Sequence, residues 1–522
     1  MKIIVQKALT AFANDVRKRR VIARLPDYDA DMHSIMPSQE ICDRARMARD
    51  ARFDGLFFIA VKSTGIYCRP VCPAPSPKPK NIMYYPNAAA ASAAGFRPCL
   101  RCRPELSPNA MQHRYQDEWV NRALALIADG ELQEGSVETL AAKIGLSTRQ
   151  IRRLFLNGLG ATPIAVHTTR RLLLAKQLLT ETSMPMTQIA LASGFKSLRR
   201  FNAAFAEGCG MPPTAIRRLR SEAPSGSLTL RLAYRPPFDF NLMLAFLAKR
   251  AIPGIEHVTA TSYERVLGPV DNSSWIRVTA DSTKPELKLE ISDADPRMIH
   301  DIVQRTRRLF DLDADLQAVH PVLMSSELLK KAISRRPGLR VPGSWDGFEL
   351  AVRAVLGQQI SVAGATTLTR RLVEQYGEDR TNKRENLDRA FPKPEAIANA
   401  PLEKIGLPKS RAATLRSMAQ ALIDGEISFL AGQNLDTFVE TFTKLPGIGP
   451  WTAQYVAMRA LRQPDAFPAG DLILQKVMGG DVGLSEKETE ARSQAWRPWR
   501  AYAVLHLWHL SGDIAAEKKN VV

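Results

Sequence analysis

The chain has 522 residues and a hydrophobic share of 45%, which is typical of globular protein and predicts about three domains. Its formal net charge of +19 at pH 7 indicates a polyanionic partner, nucleic acid before membrane. No stretch approaches the roughly 18 consecutive apolar residues of a membrane-spanning helix. Six cysteines in so long a chain favour a reducing cytoplasm over an oxidising compartment.

Residues 1–39 are predicted to be a poorly packed extension. The segment is amphipathic and basic, includes the run Arg17–Arg20, and lacks the apolar core and cleavage site of a signal peptide. Met32 and Met36 are alternative starts of the protein, and a basic arm that touches DNA is a second interpretation.

Residues 40–110 are predicted to form a small metal-held domain. Short apolar runs such as 56–61 alternate with proline-rich stretches, which indicates a few short strands. The alanine-rich run 88–94 opens with Asn87 and closes with Gly95, so it predicts a short helix.

Two close cysteine pairs lie in this domain, Cys68 with Cys72 and Cys99 with Cys102. In a chain too long to need disulfide staples, this spacing predicts a four-thiolate site for one zinc ion per chain. Two interpretations remain open from the spacing alone. The site is either a closed structural centre or one that presents a reactive thiolate.

Arginines crowd the predicted zinc site. Arg69, Arg97, Arg101 and Arg103 all lie next to or close to a cysteine, where they would draw a phosphate backbone towards the sulfurs. The first three are predicted DNA contacts, and incidental basic neighbours are the alternative.

Residues 113–221 have helical periodicity throughout, and residues 222–227 have the composition of a linker. Two helix-turn-helix units with a glycine in each turn are predicted, at 137–156 and 186–205. Two such units joined by a long helix resemble the DNA-binding domain of the AraC family of transcription regulators. The resemblance implies a promoter, and for an activator RNA polymerase, as partners; exposed charges on an ordinary bundle are the alternative. The side chains predicted to reach bases or phosphates are Thr148, Arg149, Gln150, Arg152, Arg199, Arg200 and Asn202.

The cysteine domain, which precedes this helix-turn-helix domain, resembles the N-terminal domain of the Ada protein of the adaptive response to alkylation. The resemblance runs from about Ile41 to Glu105 and is carried by STGIYCRP at 63–70 and AGFRPCLRC at 94–102. It implies that Cys68 accepts a methyl group from a methylated DNA phosphate, once per molecule, while the other three cysteines hold the zinc. The second acceptor of Ada, in a Pro-Cys-His-Arg setting, has no match, so repair of O6-methylguanine is not expected.

The chemistry of a thiolate supports this interpretation. A zinc-bound thiolate persists at neutral pH and remains nucleophilic towards the methyl carbon of a phosphotriester. Methylation removes one negative charge that repels DNA phosphates, so we expect it to tighten DNA binding.

Residues 228–295 are predicted to form a small antiparallel sheet, with alternating strands at 228–234, 275–280 and 287–291. Helical periodicity resumes at Arg297, and residues 296–515 are predicted to form a helical bundle. The fold class predicted for the whole chain is therefore multi-domain, mainly α with α+β parts.

The segment 445–449, with sequence LPGIG, predicts a helix-hairpin-helix, because Gly447 and Gly449 let backbone amides approach a DNA phosphate. Asp471 follows and opens the next predicted helix. This pattern resembles the base-excision glycosylases of the hairpin and Gly-Pro-Asp superfamily, specifically 3-methyladenine DNA glycosylase II of the AlkA type. The resemblance covers about residues 228–511, including the motifs YRPPFD (234–239), RPGLRVPG (336–343), AVLGQQIS (354–361) and WRPWRAY (496–502).

A carboxylate beside the sugar would stabilise the positive charge that develops as a base leaves, and Asp471 is the candidate. A helix N-cap is its alternative or additional role. The resemblance assigns the base pocket to Trp451, Tyr455 and Trp508, for which core packing is the alternative. Trp451 stands where strand-cleaving relatives carry a lysine, so an abasic site is the expected product.

Gln358 and Gln359, within the motif AVLGQQIS, are predicted DNA contacts. Gln359 falls where AlkA enzymes place an apolar wedge that fills the gap left by a flipped base. A glutamine would fill that gap with a hydrogen-bonding side chain.

The sequence as a whole predicts a fused alkylation-response protein that combines a methyl acceptor, a transcription-regulator module and a glycosylase acting on double-stranded DNA. Two rival functions are a methylation-activated regulator whose glycosylase half only binds DNA, and a multi-domain DNA scaffold with a purely structural zinc site.

Overall fold

The computed structural model describes residues 36–108, 117–219, 228–268, 274–480 and 482–520. The predicted N-terminal extension up to residue 35 and the predicted linker lie outside the described residues. Within the described ranges, no helix is both long enough and apolar enough to cross a membrane.

The cysteine domain is a four-stranded sheet with two helices. Its elements are α1 (Gln39–Ala48), β1 (Phe58–Val61), β2 (Ile66–Cys68), β3 (Ile82–Tyr85), α2 (Ala88–Ala93) and β4 (Arg97–Pro98). The strand order is β3-β1-β2-β4, and β2–β4 is the parallel pair. The predicted alanine helix is confirmed: the side chain of Asn87 accepts from the Ala90 amide over 2.8 Å, and Gly95 follows with φ +85°.

The next domain is entirely helical in its described part. Its helices are α3 (Glu118–Ala128), α4 (Glu131–Glu134), α5 (Val137–Ile144), α6 (Thr148–Leu159), α7 (Pro163–Glu181), α8 (Met186–Ala192), α9 (Leu198–Cys209) and α10 (Pro213–Arg218). Both predicted helix-turn-helix units are present, as α5–α6 and α8–α9. Gly145 ends α5 with φ +77°, and Ser147 then caps α6, so the turn is fixed by local sequence.

The sheet subdomain has five antiparallel strands in the order β5-β9-β8-β7-β6. Its elements are β5 (Leu228–Ala233), α11 (Phe240–Ala248), β6 (Glu256–Val258), β7 (Ser262–Val266), β8 (Trp275–Ala280) and β9 (Glu286–Ser292). The three predicted strands are confirmed within a residue at each end, while β6, β7 and α11 were not predicted.

The C-terminal part is a helical bundle around one large apolar core. Its helices are α12 (Ile299–Leu309), α13 (Leu316–Leu323), α14 (Glu327–Arg335), α15 (Gly347–Leu356), α16 (Val362–Tyr376), α17 (Pro394–Ala398), α18 (Lys409–Ile423), α19 (Leu435–Thr443), α20 (Pro450–Arg459), α21 (Leu472–Gly479), α22 (Glu486–Ser493) and α23 (Arg500–Asn520). A hairpin of β10 (Glu378–Arg384) and β11 (Leu387–Ala390) interrupts the helices. The sequence did not predict it.

Helix α7 joins three parts of the chain through one buried carboxylate. Glu181, near its C-terminus, accepts from Arg103 of the cysteine domain over 2.9 Å and from Arg231 of β5 over 2.8 Å. Gln177, one turn earlier, donates to the Arg231 carbonyl over 2.8 Å. The helical domain also contacts the bundle, because Arg122 of α3 donates to the Gly432 carbonyl over 2.6 Å.

Candidate zinc centre and base pocket

The sheet of the cysteine domain brings the four predicted ligands together. Cys68 ends β2, Cys72 lies in the turn after it, Cys99 follows β4, and Cys102 lies in the next turn. Because β2 and β4 are neighbouring parallel strands, both cysteine pairs emerge at the same edge of the sheet. Their sulfur atoms all lie within 4.8 Å of one another.

This sulfur cluster fits one zinc ion. Tetrahedral coordination at about 2.3 Å places four thiolate sulfurs roughly 3.8 Å apart, which is compatible with the observed spread. Backbone amides support two ligands: Arg69 N donates to Cys102 Sγ over 3.3 Å and Arg101 N to Cys99 Sγ over 3.4 Å. The protein is therefore a zinc protein with one four-cysteine site.

The four cysteines differ in exposure and in hydrogen bonding. Cys99 and Cys102 are buried, whereas Cys68 and Cys72 are partly exposed. In the described part of the chain, backbone amides donate to the sulfurs of Cys99 and Cys102, and none donates to those of Cys68 and Cys72. Since a hydrogen bond to a thiolate stabilises its charge and lowers its reactivity, Cys68 and Cys72 are the two accessible sulfurs with the less stabilised lone pairs.

The three arginines predicted to contact DNA here have different surroundings. Arg69 is buried, donates to Asp54 over 2.9 Å and to the Cys102 carbonyl over 3.1 Å, and so braces the metal loop instead of facing DNA. The DNA contact predicted for Arg69 stays a prediction, and its observed role is to hold this loop. Arg97 is partly buried against Gly210, at the end of α9. Arg101 is exposed next to the cluster.

Lys176 of α7 was not predicted as part of the zinc centre. Its buried ammonium group pairs with Glu105 and donates to the carbonyl of Cys99 over 3.2 Å. A buried cation beside a thiolate cluster offsets part of the cluster's negative charge. Lys176 lies 77 positions after Cys99, so no local pattern in the sequence could predict their contact.

The second helix of each helix-turn-helix unit presents its predicted residues on the outside. Arg149 and Arg152 of α6 and Arg199, Arg200 and Asn202 of α9 are exposed, and Thr148 is partly buried at the start of α6. The side chain of Gln150 accepts from the Ser147 amide over 2.9 Å as part of a capping box. Its first role is therefore to start the helix.

The predicted helix-hairpin-helix is formed by α19, the turn at 445–449 and α20. Gly447 has φ +80°, and a Cβ atom there would stand 2.1 Å from Thr414 Oγ1. Gly449 is the N-cap of α20, with open space around it. Gln358 donates its amide to the Gly447 carbonyl and to Thr452 Oγ1, each over 3.0 Å, so it ties the loop after α15 to this hairpin.

Gln359, next along that loop, is exposed and has a left-handed backbone with φ +58°. A non-glycine residue pays a conformational cost there, and such strain concentrates at functional loops. Ile360, beside it, lines the mouth of the cavity described next.

A cavity of about 710 Å³ opens between the sheet subdomain and the bundle. Its wall includes all three predicted pocket aromatics. The rings of Trp451 and Tyr455 stack 5.4 Å apart at 7°, and Trp508 lies 6.3 Å from Tyr455 at 43°. One turn of α20 separates the first two, so helical spacing explains their stacking.

Asp471 lies on the same wall, with a relative exposure of 9%. Its Oδ1 accepts from the amides of Ile473 over 2.9 Å and Leu474 over 3.0 Å, which makes it the N-cap of α21. Its Oδ2 accepts from Trp451 Nε1 over 3.1 Å. Both predicted roles of this residue are thus geometrically compatible, because one oxygen caps the helix and the other faces the pocket aromatics.

The cavity also contains residues that the sequence did not identify, among them Phe246, Arg250 and Arg459. Arg459 follows Tyr455 by four positions on α20, so helical spacing offered a signal for it. Phe246 and Arg250 come from the sheet subdomain, where nothing local distinguishes them.

Four family models match the chain in the order of these parts. The matches are Metal binding domain of Ada (residues 41–105), Helix-turn-helix domain (140–219), AlkA N-terminal domain (229–346) and HhH-GPD superfamily base excision DNA repair protein (352–501). The fold and its sites therefore define a class of DNA repair protein in which Ada-type and helix-turn-helix modules precede an AlkA-type glycosylase fold. The predicted fusion and fold class are confirmed.

A relative from Mycobacterium tuberculosis, "Probable bifunctional transcriptional activator/DNA repair enzyme AlkA", is 38% identical over 477 residues, which cover 90% of this chain and 96% of the relative. DNA-3-methyladenine glycosylase 2 of Escherichia coli is 33% identical over 54% of this chain and 97% of its own length. The Escherichia coli enzyme Ada is 44% identical over 23% of this chain and 32% of its own length. The chain belongs to the family of bifunctional transcriptional activator/DNA repair enzymes of the AlkA type.

Proposed function

We propose that this protein repairs alkylated DNA and regulates transcription in response to alkylation. Its C-terminal half acts as a monofunctional DNA glycosylase that excises alkylated bases such as 3-methyladenine. One observation carries this proposal: Asp471 is held by three hydrogen bonds on the wall of an aromatic cavity large enough for a nucleobase.

In the proposed reaction the damaged nucleotide is flipped out of the duplex, and its base enters the cavity. The bond between C1′ and the base nitrogen breaks, and its electron pair leaves with the base. The carboxylate of Asp471 stabilises the positive charge that develops on the sugar, and water then adds to C1′. Since Trp451 offers no amine for a Schiff base, the product is an abasic site with an intact strand.

Substitution of Asp471 by asparagine tests the glycosylase. Asparagine caps a helix as well as aspartate does, so α21 and the melting temperature should be retained. Release of 3-methyladenine from methylated DNA should fall by about a hundredfold or more, because the charge is lost. A variant that releases base as fast as the wild type would leave the C-terminal half as a DNA clamp without catalysis.

We further propose that Cys68 accepts a methyl group from a methyl phosphotriester in DNA. Zinc, when bound, keeps the cysteine sulfurs in the thiolate form at neutral pH. The sulfur of Cys68 forms a bond to the methyl carbon, the bond from that carbon to the phosphate oxygen breaks, and a phosphodiester leaves with the electron pair. Partial exposure and the absence of an amide donor within the described residues support Cys68 and Cys72 over the buried Cys99 and Cys102. Of these two, Cys68 is the one that matches the methyl acceptor of the Ada-type domain.

Peptide mass analysis after incubation with methyl phosphotriester DNA tests this transfer. One added methyl group on Cys68 is the expected result. A methyl group on Cys72 instead, or none on any cysteine, contradicts the assignment. Because methylation removes a negative charge near DNA, the methylated protein should also bind promoter DNA more tightly, most clearly at low salt.

The exposed residues of α6 and α9 are proposed to contact the major groove of a promoter, and Arg101 a phosphate near Cys68. Gly447, Gly449 and Gln359 are proposed to contact the DNA held by the glycosylase. Contact with RNA polymerase is proposed for the activator role. The proposed domain boundaries remain 40–110, 113–221, 228–295 and 296–515.

A further inference from the structure

The hydroxyl group of Tyr455 lies in an unusually cationic part of the base cavity. Arg459 donates to it from Nη1 over 2.7 Å, and the positive charge of Arg250 from the sheet subdomain also acts on it. Burial alone would raise the pKa of Tyr455, but the guanidinium groups of Arg459 and Arg250, with a smaller effect from Arg353, outweigh burial and hold its pKa below the ordinary value of 10.

The charges of these two arginines are not cancelled by neighbouring acids. Arg459 donates to the carbonyls of Pro342 and Gly343 over 2.9 and 3.0 Å, and Arg250 donates to the carbonyl of Phe246 over 3.2 Å. Of the described residues, none brings a carboxylate within ion-pair distance of either arginine.

Two further arginines line this cavity, and both have acidic partners. Arg336 pairs with Asp513 over 2.6 Å, and Arg353 is paired as well. It pairs with Glu256 over 3.1 Å and Glu349 over 3.0 Å, which also pair with Arg265. Two arginines and two glutamates balance there, so Arg250 and Arg459 are the cavity's arginines whose charge has no acidic partner among the described residues.

An arginine donates hydrogen bonds and cannot accept one. The oxygen of Tyr455 therefore accepts from Arg459 while its own proton remains available to a group inside the cavity. The parallel stacking of Tyr455 on Trp451 fixes the plane of the phenol ring and hence the direction in which its hydroxyl edge points. The result is an oriented and polarised hydrogen-bond donor.

Such a donor affects different bases to different degrees. When the glycosidic bond of a neutral base breaks, the electron pair gives the leaving base a negative charge, which hydrogen bonds and nearby cations stabilise. A base already positively charged by alkylation leaves as a neutral molecule and gains little. Catalysis follows the interaction that strengthens in the transition state, so the donor favours neutral bases.

We propose that the hydroxyl group of Tyr455, polarised by Arg459 and Arg250, donates a hydrogen bond to a ring nitrogen or carbonyl oxygen of the departing base, and that it sets the rate for neutral bases relative to cationic ones. This inference rests on the proposed glycosylase function. The electron pair of the broken bond stays on the base, water supplies the oxygen at C1′, and its proton neutralises the departed base.

The test uses the full-length protein and two duplexes that differ in one base, with 7-methylguanine as the cationic probe and hypoxanthine as the neutral probe. Single-turnover release of both is measured for the wild type, for Tyr455→Phe, which keeps the ring, and for Tyr376→Phe as a control. Tyr376 is the last residue of α16 and lies outside the cavity, where its hydroxyl group donates to the Pro401 carbonyl.

The expected result is that Tyr455→Phe lowers the ratio of hypoxanthine to 7-methylguanine release about tenfold, which corresponds to a hydrogen bond of roughly 1.4 kcal/mol. An unchanged ratio, or a wild type that releases 7-methylguanine but no hypoxanthine, overturns this inference alone. A wild type that releases neither base overturns the glycosylase function as well.

A pH profile separates a donor from a packing residue. Hypoxanthine release by the wild type should decline at alkaline pH as Tyr455 loses its proton, earlier than an ordinary tyrosine would, and Arg250→Gln should move this decline to higher pH. The decline should be absent in Tyr455→Phe, and its persistence there would overturn the assignment. The charged groups that face the tyrosine or line the same cavity are Lys249, Arg250, Arg336, Arg353, Arg459, Asp471, His509 and Asp513.

Discussion

The indole Nε1 of Trp451 donates a hydrogen bond to Oδ2 of Asp471 over 3.1 Å. The two residues begin consecutive helices of the bundle, α20 and α21, and the bond fixes the second oxygen of a carboxylate whose first oxygen caps α21. The aromatic residue proposed to stack on the base thus also orients the carboxylate proposed to stabilise the sugar.

Replacing Trp451 with phenylalanine should separate these two roles. The phenyl ring can still stack on Tyr455, but Oδ2 of Asp471 loses its donor and is free to rotate. Base release should fall by about tenfold or more, because small errors in the position of a catalytic group are costly. The rate is compared with that of Trp499→Phe, a substitution outside the cavity; equal rates for the two variants would contradict the positioning role.

Gly447 and Gly449 offer a matched pair of substitutions in the hairpin. Alanine at 447 would place Cβ 2.1 Å from Thr414 Oγ1 in a left-handed backbone, whereas alanine at 449 meets open space and a φ of −96°. Gly447→Ala should lower the free energy of unfolding by at least about 1–2 kcal/mol. Gly449→Ala should change it little, as measured by denaturant unfolding.

Adding Thr414→Ala tests whether this cost is steric. The double variant Gly447→Ala, Thr414→Ala should recover part of the stability, because the hydroxyl that clashes with Cβ is gone. If the double variant is no more stable than the sum of the two single effects, backbone strain accounts for the whole loss.

Acid should destabilise the bundle through His506. Burial first, and then the nearby His320, lower the pKa of His506 to about 3. The unfolded chain binds a proton at the ordinary value of about 6.5 while the folded chain does not. The contribution of neutral His506 to the free energy of unfolding is therefore fully present above about pH 6.5, and it declines as the pH falls from about 6.5 towards 3.

His506→Gln should reduce the pH dependence of the free energy of unfolding in this range, independently of its effect on stability at pH 7. The slope between pH 6.5 and pH 4 is the quantity to compare, with His257→Gln of strand β6 as the control. A slope that matches the wild type in the His506 variant would exclude this histidine as the source.

Removal of zinc should unfold the cysteine domain. With six cysteines in the chain, four of them at the metal site and the remaining Cys42 and Cys209 buried, the native protein should react slowly with a thiol reagent. A strong chelator should release one zinc ion per chain and expose at least four reactive thiols, with loss of the domain's circular dichroism signal. An intact fold after chelation would argue against a structural contribution of the metal.

The sequence was informative wherever the structure depends on local spacing. The cysteine pairs, the alanine helix, the two helix-turn-helix units and the hairpin before Asp471 are each fixed by residues within a few turns of one another. Their positions in the structure follow from caps and glycines that the sequence displays, such as Asn87 and Gly145.

Strands β6 and β7 were missed for a physical reason. All five residues of β7 are buried, including Glu264 and Arg265, so the expected alternation of apolar and polar residues is absent. Burial of Arg265 is possible because it pairs with Glu256 over 3.4 Å and with the distant Glu349. A partner from another part of the chain gives no local signal.

The same reasoning applies to the sites. Lys176 and Arg250 meet residues far away in the sequence, and only the packing of one part against another brings them to the cysteines and to Tyr455. The sequence reveals which groups can react, while their electrostatic surroundings depend on tertiary contacts.

The bridge at Glu181 matters for anyone who divides this protein. Cutting the chain between its regulatory and repair halves separates Glu181 from Arg231. The N-terminal fragment then keeps Glu181 with Arg103, and the surface that the sheet subdomain covered becomes exposed to solvent. Each fragment would expose polar groups that are paired in the full chain. Low stability or low activity of an isolated half would therefore reflect the missing contacts as much as the properties of that half.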